Sequence, residues 1–237
     1  MPAAFPPPQN RLLAALDAAV IERLHPRLES VELALNDVLY EPGDPVTDVY
    51  FPLDAIVSLF SVLEDGASTA IAMIGNDGMI GIARVMRGGA MPFQAVVQSD
   101  GHASRLKGKF LAEEFAKCGA LHDLLLRYTQ VLLTQSAQIA VCNRYHTAGQ
   151  QLCRWLLQAM DRSPSRNLRM TQERIAANLG VRREAVTAAA RGLQQSGVID
   201  YSRGHITVLD RTKLEALGCE CYGVVQRETD RLLPSVS

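Results

Sequence analysis

Arginine is the residue type whose placement in this 237-residue chain says most about chemistry. Residues 147–213 hold 11 Lys+Arg against 5 Asp+Glu, and ten of those eleven cations are arginine. The planar guanidinium presents a fork of donors that matches phosphate oxygens and base edges, so this stretch fits recognition of a polyanion better than plain solubility. Elsewhere the charge reverses. Residues 1–146 hold 11 cations against 16 carboxylates, and residues 214–237 hold 2 against 4. The net charge of −1 therefore conceals a basic module joined to an acidic one.

Groups able to do covalent chemistry are scattered. No Ser-His-Asp order with a nucleophile elbow, no P-loop and no zinc-spaced His/Cys set is present. Glu113 and Glu114 are neighbours on a helical stretch and point different ways, so they make no acid–base couple. The run Gly75-Asn-Asp-Gly-Met-Ile-Gly81 lacks GxGxxG spacing and a following helix, which makes it a turn between strands. Cys118, Cys142, Cys153, Cys219 and Cys221 are an odd number with none among the first 117 residues. That is no disulfide framework, and a reducing cytoplasm is the expected compartment. Cys219-x-Cys221 reads either as a redox pair or as inert buried thiols. His25, His102, His122 and His146 stand apart in sequence and read as surface or hydrogen-bonded residues rather than haem ligands. No enzyme and no metal site are expected.

The elements that must position the arginines follow from periodicity. Composition is ordinary globular, 48% hydrophobic and 21% charged, and no apolar run approaches the ~18 residues of a membrane helix. The Pro-rich start has no basic segment and is not expected to be a secretory signal. Asn10 is placed to cap a helix running to about Leu24, where Pro26 stops it. Short β-branched segments then succeed one another from Val31 to Leu106, separated by Gly-, Pro- and Asp-rich turns. Such spacing without intervening helices predicts an antiparallel barrel or sandwich, a shape that often encloses one small ligand.

After residue 108 the period changes from two to 3.6. Lys109–Cys118 reads as a short helix. Leu121, Leu125, Tyr128, Leu132, Gln135, Ile139 and Cys142 recur at alternating gaps of four and three, an a/d seam that predicts a dimer interface. A single helix lying on its own domain fits the same pattern. Further on, Thr171 caps a helix ending at Gly180, a second helix spans 182–195, and Val198–Leu209 reads as two strands around Arg203-Gly204. Helix, tight turn, helix and hairpin make a winged helix-turn-helix. Asp210 is expected to cap a last helix, continuous through Arg231, that covers this module.

The segment TQERIAANLGVRREAVTAAARGLQQSG, beginning at Thr171, resembles the helix-turn-helix of the Crp/Fnr family of bacterial transcription regulators. EPGDPVTDVYFP and GNDGMIG look like that family's two β-roll turn motifs, and the resemblance extends over roughly residues 30–213. CECY at Cys219–Tyr222 looks like a feature of one branch. The implied fold is α+β: a leader and helix over 1–30, an antiparallel β-roll over 31–118, a dimerisation helix over 119–146, and a winged helix-turn-helix over 147–237. The implied function is that of a sequence-specific regulator bound as a homodimer to a palindromic operator. Double-stranded DNA, a second copy and RNA polymerase are the implied partners, with no membrane. A ligand-binding roll whose winged helix contacts protein is the alternative.

By the same resemblance, Arg183 and Glu184 match base-reading positions, to guanine and cytosine respectively. The family's second base-reading arginine is Ala188 here. Arg182 and Thr187 are expected to add contacts to phosphate or a thymine methyl, Thr171 belongs to the same surface, and Arg203 and His205 on the wing would reach phosphates. The effector site departs from cyclic-AMP-binding relatives. Ile82 stands where they place a ribose-holding Glu, and Phe93-Gln94 where they place the phosphate-holding Arg-Ser/Thr pair. Apolar side chains cannot hold a buried phosphate, so activation by cyclic AMP in the family's usual mode is not expected. Arg84 and Arg87 are the nearest anion-binding candidates, and the effector is otherwise unassigned. Iron–sulfur sensing branches carry N-terminal cysteines; none precedes Cys118, so no cluster is expected.

Overall fold

The computed structural model describes residues 10–162, 167–202 and 204–233. Asn10 caps the first helix, α1 (Arg11–Ala14), its side-chain oxygen accepting from the Leu12 and Leu13 amides. Its amide nitrogen donates to the carbonyls of Pro52 and Gly78, both at 2.9 Å, so one buried side chain bolts the amino-terminal helix to the domain beneath. The single helix expected to Leu24 is two, because the chain turns at 15–17 before α2 (Ala18–Leu24). Pro26 then lies in a short 3-10 turn, His25–Arg27.

Seven strands form the roll: β1 (Glu29–Leu33), β2 (Val38–Tyr40), β3 (Asp48–Pro52), β4 (Ile56–Val62), β5 (Ser68–Ile74), β6 (Gln94–Ser99) and β7 (Gly101–Lys107). All pairings are antiparallel, in two sheets ordered β1-β7-β3 and β2-β6-β4-β5. The two-residue alternation turns Val49, Phe51, Val57, Leu59, Ala95, Val97 and Leu106 inward, where they fill the roll. Gly78 sits where no other residue fits, since a Cβ there would lie 2.6 Å from the Tyr128 hydroxyl.

Helix α3 (Gly108–Phe115) leads into α4 (Ala120–Tyr145), the longest element at 26 residues. Helix α5 (Ala148–Arg162) opens the carboxy-terminal half. There α6 (Gln172–Leu179) and α7 (Arg183–Gln195) are joined by Gly180, whose φ of +64° reverses the chain. A sheet ordered β8-β10-β9 (Asn167–Arg169, His205–Val208, Ile199–Ser202) forms the wing. These helices and the wing enclose a second core around Trp155, Leu156, Ile175, Val186 and Ile206, which Ile56 and Met73 of the roll join.

Two further expectations need correction. The seam on α4 faces inward: Leu121, Leu125, Tyr128, Gln135, Ile139 and Cys142 are buried within the single chain, and Leu132 is half-buried. Tyr128 accepts from the Met79 amide at 3.0 Å and donates to its carbonyl at 2.8 Å; Gln135 does the same for Met73 at 3.2 Å. The apolar repeat was a real face, but the roll and the last helix cover it. That last helix is also not continuous. Asp210 caps α8 (Arg211–Leu217), which closes on the winged module through Leu214; the chain breaks at Gly218, and α9 (Glu220–Leu232) packs along α4, with Tyr222 reaching Asp161 of α5, at 2.8 Å.

Candidate nucleic-acid interface

Thr171, at the amino end of α6, accepts from the Arg174 amide at 3.3 Å and so starts the helix where the sequence placed its cap. Thr187 on α7 donates to the Gln172 side chain at 2.6 Å, pinning the two helices at their crossing. Its hydroxyl is thereby engaged, and the residue as a whole is half-buried. Arg182 precedes α7 with no side-chain cap, leaving the first backbone N–H groups of that helix without a side-chain partner. Arg182, Arg183 and Glu184 are all exposed on this first turn, whereas Val186, Ala190 and Leu193 on the opposite face are buried. The amphipathic period thus turns the charged residues outward because the apolar ones hold the core.

Thr171, Gln172, Glu173, Arg183, Tyr201 and Gly204 line one shallow groove between the α6–α7 corner and the wing. His205 is exposed at the start of β10, beside that groove; Arg203 lies outside the described residues. Thr171 and Arg183 therefore share one groove, with the exposed Arg182 and Glu184 flanking Arg183 in sequence and the exposed His205 following Gly204. This surface can offer guanidinium donors and helix-end amides to a phosphate backbone, and side chains to a groove floor.

The module is held on the roll by polar contacts. Ser58 donates to Asn178 at 2.7 Å, and Asn178 donates to Gln98 at 2.9 Å. Arg174 donates to the Val97 carbonyl at 2.9 Å, and burial there lowers its pKa from the ordinary guanidinium value. Arg162, at the end of α5, pairs with Asp77 in the roll's second turn at 2.8 Å, with both side chains largely buried. Sequence reasoning missed this interface because serine, asparagine and glutamine in isolation carry no signal of a distant partner.

The positions compared with the family's cyclic-phosphate site are otherwise engaged. Ile82 and Phe93 pack against the hydrophobic core, and Gln94 is hydrogen-bonded to the Glu41 carboxylate at 2.9 Å. Arg84 and Arg87 share a groove with Phe115, Cys118 and His122 on the outside of the roll, against α3 and α4. Arg84 is partly buried, with its Nε lacking a partner, and Arg87 is exposed in a turn with φ of +58°.

Spacing in sequence gave no zinc-type set, yet the fold gathers one: Cys142, His146, Cys219 and Cys221 meet where α4 ends and α9 begins. The signal was present as Cys-x3-His and Cys-x-Cys, separated by too many residues for any local pattern to join them.

Comparison with known proteins agrees with this geometry. A family model described as a Crp-like helix-turn-helix domain matches residues 150–217, and one described as a cyclic nucleotide-binding domain matches residues 30–118. No curated protein sequence matches the chain. Among solved structures, FixK2 from Bradyrhizobium japonicum superposes with a TM-score of 0.68 at 20% identity, over 81% of this chain and 98% of FixK2. The c-di-GMP-responsive global regulator Clp of Xanthomonas campestris gives 0.64 at 16% identity, over 82% and 100%. TTHB099, a CRP-family transcriptional regulator from Thermus thermophilus, gives 0.65 at 19%, over 81% and 96%. A cyclic-nucleotide-binding-like roll, a long helix and a Crp-like helix-turn-helix, in that order, place this chain in the Crp/Fnr family of transcription regulators.

Proposed function

We propose that this DNA-binding regulator acts as a homodimer on a two-fold symmetric operator, with α7 entering the major groove. The observation that carries this reading is the exposed first turn of α7, Arg182-Arg183-Glu184, set beside the wing in an arginine-rich module. Arg183 is assigned to guanine O6 and N7 and Glu184 to cytosine N4, each discriminating by about 1–3 kcal/mol. Arg182, Thr171, Arg203 and His205 hold the phosphates on either side, and Thr187 offers its methyl to a thymine.

Dimerisation is reassigned to the face of α4 that neither the roll nor α9 covers. Leu126 and Leu133 are 53% and 69% exposed, with Ala137, Ala140 and Arg144 continuing the exposed stripe at heptad intervals. RNA polymerase is the further partner of a regulator of this kind. Because the positions that would hold cyclic AMP are apolar or already engaged, DNA binding is proposed not to need it.

Selection of genomic fragments with the purified protein, at near-physiological salt and with no ligand added, tests the reading. Recovery of a palindrome with half-sites about one helical turn apart is the expected result. Fragments sharing no motif, bound with an affinity indifferent to salt, would overturn it.

A further inference from the structure

Three cysteines and a histidine converge at the junction between the two halves. Cys142 lies in the last turn of α4, and His146, four residues on, caps the end of that helix, its amide donating to the Cys142 carbonyl at 3.0 Å. Cys219 precedes α9 and Cys221 lies in its first turn. The Cys142 and Cys219 sulfurs are 3.7 Å apart, Cys221 Sγ is 3.3 Å from His146 Nδ1, and all four ligand atoms fall within 4.8 Å of one another. Cys142 and Cys221 are fully buried, Cys219 is 8% exposed, and the His146 side chain is 13% exposed.

We infer that these four side chains form a structural Zn²⁺ site that staples the end of α4 to the start of α9. Two thiolates bound tetrahedrally at ~2.3 Å stand about 3.8 Å apart, and a thiolate and an imidazole about 3.6 Å, close to the Cys142–Cys219 distance of 3.7 Å and the Cys221–His146 distance of 3.3 Å. Thiols buried merely as small apolar groups would not require the imidazole to be turned in among them. The surrounding groups match as well. His146 directs its other nitrogen to the Glu220 carboxylate at 3.3 Å, the usual support for a metal-bound imidazole. Gln138 donates to Cys221 Sγ at 3.1 Å.

Arg154 is 3% exposed, donates to the Gln158 side chain at 3.0 Å and makes no ion pair with a carboxylate among the described residues; three residues before it on α5, Gln151 donates to the Cys142 carbonyl at 3.5 Å. A buried guanidinium requires a counter-charge. Three thiolates, a neutral imidazole and Zn²⁺ carry a net single negative charge that supplies one. Binding leaves the metal's oxidation state unchanged: Zn²⁺ takes three sulfur lone pairs and one nitrogen lone pair, and three thiol protons pass to solvent. The set favours zinc among common ions, because sulfur and imidazole donors at tetrahedral spacing suit it and hard oxygen-seeking cations do not.

The test uses the full-length protein and metal as its readout, so it stands apart from any outcome with DNA. Protein purified under reducing conditions, supplied with Zn²⁺ and desalted should retain one ion per chain by elemental analysis. Replacement by Co²⁺ should give the intense ligand-field bands of a tetrahedral thiolate site. Cys219→Ser should lose at least about tenfold in zinc affinity, and Cys118→Ser, at an exposed thiol outside the set, should change nothing. If Cys219→Ser does not fold, the cobalt spectrum of the unaltered chain decides. Retention well below one ion per chain, an octahedral cobalt spectrum, or a Cys142–Cys219 disulfide in the reduced preparation would each overturn the assignment.

Discussion

Single side chains carry the sharpest tests. Arg183→Ala should remove roughly 1–3 kcal/mol of discrimination at one base pair of each half-site while leaving the fold intact, because the residue is exposed. Titrations of the selected operator and of a version altered at that pair, by fluorescence anisotropy, will show the two affinities converging. Tyr128→Phe should cost about 1–3 kcal/mol in chemical denaturation, since the Met79 amide and carbonyl would both lose a buried partner. Glu114 tests the acid limb of stability. Its hydrogen bond to Arg23, with a further one to Lys117, holds the carboxyl at about 2 against the opposing effect of burial. A depressed carboxylate stabilises the fold above its unfolded pKa, and that contribution fades as pH falls from about 4.5 towards 2. Glu114→Gln should therefore lower Tm by a few degrees near neutral pH, with the gap to the unaltered protein closing below pH ~4. The exposed place of Arg183 at the start of α7 was legible from the helix-turn-helix pattern around it. Tyr128 was not, because its partner is a peptide group in a turn 49 residues away.

At the scale of elements, α4 separates two explanations of one apolar pattern. Leu133→Asp should convert a dimer to a soluble monomer in sedimentation, with little change in Tm, since the side chain is 69% exposed. Leu125→Asp should instead unfold the chain, because that side chain is 1% exposed in the core. Equal loss of dimer from both, with both folded, would restore the original seam. Alternating gaps of four and three reveal that a helix has a buried face but not what buries it, so Leu121 to Cys142 read equally well as an intermolecular or an intramolecular contact. Strands fared better: the succession of short β-branched segments expected from Val31 to Leu106 is the antiparallel roll that forms. Glu29–Leu33 escaped notice because its side chains are mostly exposed or half-buried, leaving β-pairing to Gly101–Arg105 as its main reason to exist. The break at Gly218 was hidden for a different reason. A lone glycine within a helical run is tolerated often enough that it gives no sign of a break; the contacts of α9 with α4, from Cys219 and Cys221 to Glu228, are what turn the chain there.

For the whole molecule, the contrast between an acidic amino-terminal half and an arginine-rich carboxy-terminal module governs how it meets DNA. With six or more phosphate contacts, affinity should fall about a thousandfold or more between ~50 and ~200 mM salt, measured on the selected operator. The hydrogen bonds from Ser58 to Asn178, from Asn178 to Gln98 and from Arg174 to Val97 have a consequence of another kind. They fasten the first helix of the reading head to the roll, and Arg162–Asp77 fastens α5 to the same domain. Two such heads related by a dyad would work as a fixed-span caliper. One base pair inserted at the operator's centre rotates the second half-site by about 34–36° around the duplex axis. A loosely tethered head would follow that rotation; a head held on four buried or half-buried polar contacts would leave one half-site unread.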